Sequence, residues 1–236
     1  DIEMPVMKGT ELLEKIKTLD IQTSVIVITA FGSLDTAISA LRNGASDYIL
    51  KPVEFDELII KAKRLFEVRD LLLENRVLRE EIHRKYDFEN IVGKSNSIRK
   101  VYEMIEAVAE TDSTVLISGN SGTGKELVAR ALHYKSHRKN KPFIAVNCGA
   151  ISENLIESEL FGHKKGAFTG AIFDKEGYIK ASNGGTLFLD EISEMPPQLQ
   201  VKLLRAIQEK EYTPVGTTLS LPVNARFIAT TNRNLE

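Results

Sequence analysis

The chain has 236 residues, 42% of them hydrophobic, which is enough for one domain and a substantial part of another. A formal net charge of −2 without a basic stripe excludes a general affinity for nucleic acid, and no apolar run reaches membrane-spanning length. A lone cysteine, Cys148, excludes a disulfide framework and is expected as a core residue in a reducing cytoplasm, while His83, His133, His137 and His163 show no metal-ligand spacing and read as scattered surface or helix histidines.

The first 66 residues alternate between helical and extended patterns. Residues 1–9 (DIEMPVMKG) lead into an amphipathic helix carrying Leu12, Leu13, Ile16 and Leu19. An apolar strand at 25–29, a second helix near 34–42, a short strand at 48–50, the pair Lys51 and Pro52, and a third helix follow. This order predicts a parallel, doubly wound sheet whose site lies at the strand ends, where Asp1, Thr29 and Lys51 converge. Such a trio suits a phosphoaspartate: the carboxylate accepts the phosphoryl group while the hydroxyl and the ammonium bind its oxygens. The alternative for Asp1 is an ordinary turn residue before Pro5.

Next, over 67–86, Val68, Leu71, Asn75, Leu78 and Ile82 recur at alternating spacings of three and four among Arg69, Arg76, Arg79 and Glu80. A heptad seam of this kind, with one buried Asn, favours a two-stranded parallel coiled coil. A solvated linker helix with one packed face fits the same pattern.

From residue 87 onward the chemistry becomes specific. Residues 114–118 (TVLIS) read as a buried parallel strand and 126–133 (ELVARALH) as a helix. Between them stand Gly119, Asn120, Ser121, Gly122, Thr123, Gly124 and Lys125, a phosphate loop whose backbone N–H groups face an anion at a helix N-terminus while the lysine reaches the terminal phosphates. Where the general pattern has Ser or Thr to hold Mg²⁺, this chain has Glu126, a carboxylate that can serve the metal directly or through water but also lies near anionic phosphates. A second motif, residues 184–189 (GGTLFL), reads as a buried strand ending in Asp190 and Glu191. Asp190 is placed to hold Mg²⁺ through water, and Glu191 to polarise the attacking water. The competing reading, a cap on the helix beginning near Pro196, would prevail for an isolated pair but yields once a phosphate loop precedes it.

Residues 223–232 form a third strand pattern ending in polar residues, of which Asn232 can reach a γ-phosphate or a water, or can simply form a turn. Residues 153–171 interrupt the ATPase pattern: a helix at 154–161 is followed by Gly166, Ala167, Phe168, Thr169, Gly170 and Ala171. An apolar Phe168 among small residues predicts either a loop tip that touches a partner or a hairpin whose Phe folds back onto the core.

In place and order, this GAFTGA hexapeptide between two nucleotide motifs strongly resembles the sigma-54-dependent bacterial transcription activators of the NtrC type, which remodel an RNA polymerase holoenzyme. The resemblance implies an AAA+ ATPase unit over 87–236 that uses ATP and Mg²⁺, a hexapeptide that contacts sigma-54, Asn232 at the sensor I position, and Asn147 at the asparagine that restrains the catalytic glutamate until the partner is engaged. The expected nucleotide contacts are the phosphate loop through Glu126 and the stretch Ser182, Asn183, Gly184, Gly185, Thr186, Leu187, Phe188, Leu189, Asp190 and Glu191. Residues 1–66 are similar to the receiver domain of two-component response regulators, with Asp1 matching the phosphoacceptor, Thr29 the switch hydroxyl, Lys51 the lysine and Tyr48 the aromatic that reports the state. That likeness starts at the phosphoacceptor, so the first half of the receiver, with its acidic Mg²⁺ pair, is expected in a longer parent chain. The arginine fingers, the sensor II lid and a DNA-binding helix-turn-helix domain are expected there too.

The expected fold class is therefore α/β: the C-terminal half of a doubly wound receiver (1–66), a linker helix (67–86) and an AAA+ P-loop core (87–236). The expected function is ATP-driven opening of sigma-54 promoter complexes under two-component control. The expected partners are the polymerase holoenzyme, a sensor histidine kinase, other copies of the chain in an inactive dimer and an active ring, and DNA, with no membrane. Two rivals are another P-loop ATPase or small-molecule kinase, and a nucleotide-binding regulatory dimer without turnover.

Overall fold

A computed structural model of the chain describes residues 4–19, 23–30, 34–85 and 95–233. The chain divides into two compact units, Asp1–Leu78 and Arg79–Glu236.

In the first unit, helix α1 (Gly9–Thr18), strand β1 (Ile26–Thr29), helix α2 (Leu34–Arg42), strand β2 (Asp47–Leu50) and helix α3 (Phe55–Lys85) follow one another. The two strands pair in parallel from Ile26 opposite Asp47 to Thr29 opposite Leu50. Their core is small: Leu13, Val27, Ala40 and Ala45, with Val25 and Tyr48 packed against it. Of the apolar stripe expected on α1, Leu13 is buried, whereas Leu12 and Leu19 are exposed and Leu19 lies beyond the helix end. Two strands offer too little apolar surface to cover a whole helix face.

No boundary separates the third helix expected within residues 1–66 from the linker helix expected over 67–86. Residues 55–85 contain neither Gly nor Pro and are rich in Leu, Glu, Lys and Arg, so a single helix of 31 residues runs through the expected junction at 66. The two units meet within it, between Leu78 and Arg79. Its apolar residues do not form one narrow seam: Leu72, Leu73 and Val77 are exposed as well as Val68, Leu71 and Leu78. The side chain of Ile82 lies outside the described residues.

The second unit opens with helix α4 (Asn96–Ala109), whose N-cap Ser95 accepts a hydrogen bond from the N–H of Ile98. Then come β3 (Val115–Ser118), α5 (Lys125–Tyr134), β4 (Phe143–Asn147), α6 (Glu153–Phe161), α7 (Tyr178–Ala181), β5 (Thr186–Asp190), a 3₁₀ turn (Ile192–Glu194), α8 (Pro197–Glu209), β6 (Glu211–Tyr212), β7 (Leu221–Pro222) and β8 (Arg226–Thr231). Strands β3, β8, β5 and β4 form one parallel sheet in that order. The central strands alternate between two cores, as the two-residue period of a strand requires. Leu187, Leu189, Phe227 and Ala229 face α6 and α8, while Phe188 and Ile228 face α4 and α5.

Several expectations change here. The sequence predicts a buried strand at β3, but among the described residues it is one of the two sheet edges, with β4 the other, and Leu116 is exposed. The last strand starts at Arg226 rather than 223, because Leu221 and Pro222 turn aside to pair antiparallel with Glu211 and Tyr212. Two of the histidines read as surface or helix residues are buried: His133, which does lie on α5, has Nδ1 2.9 Å from Thr186 Oγ1, and His163, outside any helix, has Nδ1 2.6 Å from Ser158 Oγ. His137 is exposed beside Asp112, and the side chain of His83 is outside the described residues. Cys148 is a core residue, as expected.

Candidate nucleotide and partner-contact site

The phosphate loop leaves the C-terminal end of β3 and is tied to β8 by the Gly119 N–H, which donates to Thr231 O at 3.2 Å. Gly122 and Gly124 adopt left-handed backbone (φ 76° and 84°), conformations that L side chains rarely take, so the loop can wrap before α5 begins at Lys125. The Lys125 ammonium donates to Gly119 O and Asn120 O, both at 2.9 Å, which holds the cation across the concave face of the loop. Glu126, the residue left open as a metal ligand, turns instead to Arg130 one helical turn on, at 2.7 Å. Arg130 in turn lies over the Phe143 ring at 4.9 Å. Arg130 thus engages Glu126 Oε1 through two guanidinium nitrogens, Nε at 2.8 Å and a terminal nitrogen at 2.7 Å.

Opposite the loop, β5 delivers two carboxylates at the same edge of the sheet. Asp190 Oδ1 accepts from Thr230 Oγ1 at 2.5 Å and Oδ2 from Asn147 Nδ2 at 3.4 Å. Glu191 sits at φ 53°, a left-handed conformation that costs a non-glycine residue on the order of 1–3 kcal/mol and concentrates at functional sites. Its N–H donates to Thr230 Oγ1 at 3.0 Å. Its carboxylate stands beside Gly149, where an added Cβ would lie 3.2 Å from Glu191 Oε2 and 3.4 Å from Asn147 Oδ1. Asn147, expected to hold Glu191, bonds to Asp190 through its amide and accepts the N–H groups of Gly149 and Ala150 at 2.9 and 3.0 Å. Burial, with the negative charges of Asp190 and Glu191 nearby, pushes the Cys148 thiol up to about 12. Asn232 lies exposed just beyond β8, and its neighbour Arg233 pairs with Glu194 at 2.8 Å.

Most of the second nucleotide stretch does not belong to this site. With the strands parallel and Ser118 paired to Thr231, the C-terminal edge of β5 is at Asp190. Thr186 is then about 13 Å back along the strand, at about 3.3 Å per residue. Ser182, Asn183, Gly184 and Gly185 precede even that. Ser182 is buried and donates to Ile179 O, and Gly185 packs so closely that a Cβ would come within 2.0 Å of Pro142 O. Leu187, Phe188 and Leu189 are buried core residues. Asp190 and Glu191 alone of that stretch reach the edge where the phosphate loop lies.

Residues 162–175 form a loop closed at its base. His163 and Lys175 exchange backbone hydrogen bonds at 2.9 Å, and the Asp174 carboxylate accepts from the Lys165 N–H at 2.8 Å and from Lys164 Nζ at 2.6 Å. The bond from the Lys164 ammonium, with that from the Lys165 N–H, holds the Asp174 carboxyl below the usual range. The hexapeptide closes on itself, Gly166 N–H donating to Ala171 O at 2.8 Å. Phe168 lies between the two expectations: it is 41% exposed, and its ring meets the buried His163 edge-on at 4.9 Å. Beyond it, Ile172 and Phe173 are 74% and 66% exposed, an apolar extension that a reading confined to the hexapeptide missed.

In the first unit, Thr29 ends β1 and is buried, and its carbonyl accepts from the Lys51 N–H at 2.8 Å, so two of the three expected residues meet at the strand ends. Asp1 lies outside the described residues. Lys61, unnoticed in the sequence, bonds to Asp47 at 3.1 Å and Glu57 at 3.0 Å and lies 4.9 Å over the ring of Tyr48.

Among the described residues no group of three or more His, Cys, Asp or Glu gathers to hold a metal, and no helix is long and apolar enough to cross a membrane. A single carboxylate at Asp190 fits Mg²⁺, which keeps most of its water and shares phosphate oxygens.

Residues 91–236 match the model of the sigma-54 interaction domain and residues 1–63 that of the response regulator receiver domain. The chain is 48% identical over 236 residues to the transcriptional regulatory protein ZraR of Klebsiella oxytoca, covering 100% of this chain and 52% of that one. It is 44% identical over 236 residues to the regulatory protein AtoC of Escherichia coli (strain K12), covering 100% and 51%. The crystal structure of NtrX from Brucella abortus in complex with ATP matches with a TM-score of 0.62 at 37% identity, over 98% of this chain and 48% of that chain. The chain spans about half the length of the curated relatives it matches.

Proposed function

Because the chain belongs to the family defined by the sigma-54 interaction domain, we propose that it is the receiver and motor portion of an activator that uses ATP to open sigma-54 promoter complexes. The observation that carries this reading is the hexapeptide loop, clamped at its base with Ile172 and Phe173 presented outward and Phe168 partly so, on the unit that also bears the phosphate loop.

The phosphate loop binds ATP, with its N–H groups and Lys125 on the phosphates. Glu191 takes a proton from a water whose oxygen attacks the γ-phosphorus. The bond from that phosphorus to the β–γ bridging oxygen breaks, and ADP departs with the oxygen, leaving inorganic phosphate. Asp190 would hold Mg²⁺ through water, and the ion, when bound, offsets charge on the phosphates. Asn232, at the end of β8, contacts the γ-phosphate. Asn147 links Asp190 to the turn preceding α6, and α6 leads into the hexapeptide loop. That series of contacts supports a path by which the phosphate state is felt at Phe168. The receiver controls the motor: a sensor kinase phosphorylates Asp1, Thr29 and Lys51 bind the phosphoryl oxygens, and pairing through α3 changes.

The test uses the full-length protein, sigma-54 and a transition-state mimic of ATP, with Thr169→Ala as control. Binding that needs the nucleotide and vanishes in Thr169→Ala is expected. Normal ATP turnover without nucleotide-dependent binding would make the chain an ATPase with another client.

A further inference from the structure

The β5–β8 ladder pairs backbone to backbone as far as Leu189 opposite Ala229. Two residues later Glu191 turns into left-handed backbone, and a side chain takes over the pairing. Thr230 Oγ1 donates to Asp190 Oδ1 at 2.5 Å and accepts the Glu191 N–H at 3.0 Å. A hydroxyl has one proton, so its direction is set: the proton goes to the carboxylate and a lone pair takes the amide. Thr230 is fully buried, and its β-branched side chain has little χ1 freedom.

We propose that Thr230 is a positioning residue for ATP hydrolysis, its hydroxyl fixing the Asp190 carboxylate and the Glu191 backbone in one arrangement. This rests on the roles given above to Asp190 and Glu191. The hydroxyl holds Oδ1 at 2.5 Å and Asn147 meets Oδ2 at 3.4 Å, so both oxygens of the carboxylate are hydrogen-bonded, with the stronger hold coming from Thr230. The same hydroxyl satisfies the N–H of a residue held in an unfavourable conformation, and so holds the start of the Glu191 side chain where that conformation puts it. One group on β8 thus sets both the acid that would hold the cation and the base that would take the proton. A threonine there merely completing the core would leave both of those functions indifferent to its oxygen.

The experiment compares Thr230→Val, which keeps the branched shape without the hydroxyl, with Thr230→Ser, which keeps the hydroxyl, in the full-length protein. Two readouts are taken: kcat and KM for ATP, and the Mg²⁺ concentration that gives half of the thermal protection conferred by ADP. Thr230→Val is expected to lower kcat about 10-fold or more with KM changed by less than about twofold, and to raise the Mg²⁺ half-point by about 10-fold. Thr230→Ser is expected to stay within about twofold of the parent in all three. Wild-type values in Thr230→Val would overturn the proposal, as would an equal loss in Thr230→Ser, which would assign the effect to packing. If Thr230→Val does not fold, Thr230→Ala carries the same expectations. Asp190→Asn and Glu191→Gln separate the two levels. Turnover surviving in those variants refutes the site itself, whereas turnover lost in them but intact in Thr230→Val refutes only the role of Thr230.

Discussion

Arg226 carries its charge where solvent does not reach, and three backbone carbonyls take the place of water. Its guanidinium donates to Ala109 O at 2.6 Å and Val108 O at 2.8 Å, satisfying the C-terminal end of α4, where a helix dipole favours a cation, and to Ser113 O at 3.3 Å just before β3. Burial lowers its pKa from the usual arginine value, the cost against which those bonds are set. Arg226→Ala should destabilise the second unit by about 2–4 kcal/mol in urea unfolding, with Arg226→Lys recovering little because an ammonium cannot span three carbonyls. The strand containing Arg226 was legible from its apolar run, but its partners lie more than a hundred residues earlier, beyond the reach of any local pattern. Cys148 offers a second test at the same scale. Its thiol, raised from 9.0 to about 12 chiefly by burial, keeps its proton in the folded chain over a range where the unfolded chain has lost it. Stability from this group is therefore fully present below about pH 9 and falls as pH rises toward 12. Native protein at neutral pH should resist thiol reagents, and Cys148→Ala should flatten the fall in urea midpoint between about pH 9 and about pH 11. Rapid native labelling would contradict the burial argument.

At the scale of elements, the hexapeptide loop depends on residues far from it in sequence. Gly216 (φ 80°) packs against it so closely that a Cβ would lie 2.5 Å from the Cβ of Ala167 and 2.9 Å from its Cα. Gly216→Ala adds both a clash and backbone strain, and should displace the loop while leaving the phosphate loop alone. The expected outcome is at least about a 10-fold loss of nucleotide-dependent sigma-54 binding with ATP turnover within about twofold of the parent, since positioning rather than chemistry is disturbed. Equal loss of turnover would mean that the loop and the nucleotide site cannot be separated in this way. The position of the hexapeptide was legible because its residues are contiguous; its support Gly216 was not, because nothing in its neighbourhood names a distant partner. Strand order escaped the sequence for a related reason. The segment TVLIS reads as buried, yet a strand's rank in the sheet depends on which other strands flank it, and β3 stands at an edge. The nucleotide stretch was overextended for a third reason: a strand touches a ligand only at its end, whereas a motif runs its whole length.

The whole molecule is joined by α3, and its surface sets a requirement that neither unit states alone. Leu71 and Leu78 expose 65% and 51% of their area, and Val68, Leu72, Leu73 and Val77 add to the same helix. A solvated linker would carry polar residues at most of these places, so the exposed leucines favour the coiled-coil reading of the sequence over the solvated-helix one. The apolar belt is broader than the predicted seam, because Leu71, Leu72 and Leu73 are consecutive and so point about 100° apart around the helix. Pairing of two copies would bury Leu71 and Leu78 from each. At about 1.5 kcal/mol for each leucine, four contribute about 6 kcal/mol, or roughly four decades in Kd. The double substitution Leu71→Lys with Leu78→Lys should therefore convert the unphosphorylated full-length protein from dimer to monomer in sedimentation at micromolar concentration. ADP binding by the second unit should be unaffected, since no residue of the phosphate loop is altered. A dimer that persists in this variant would place the self-contact elsewhere, and the exposed belt on α3 would need another occupant.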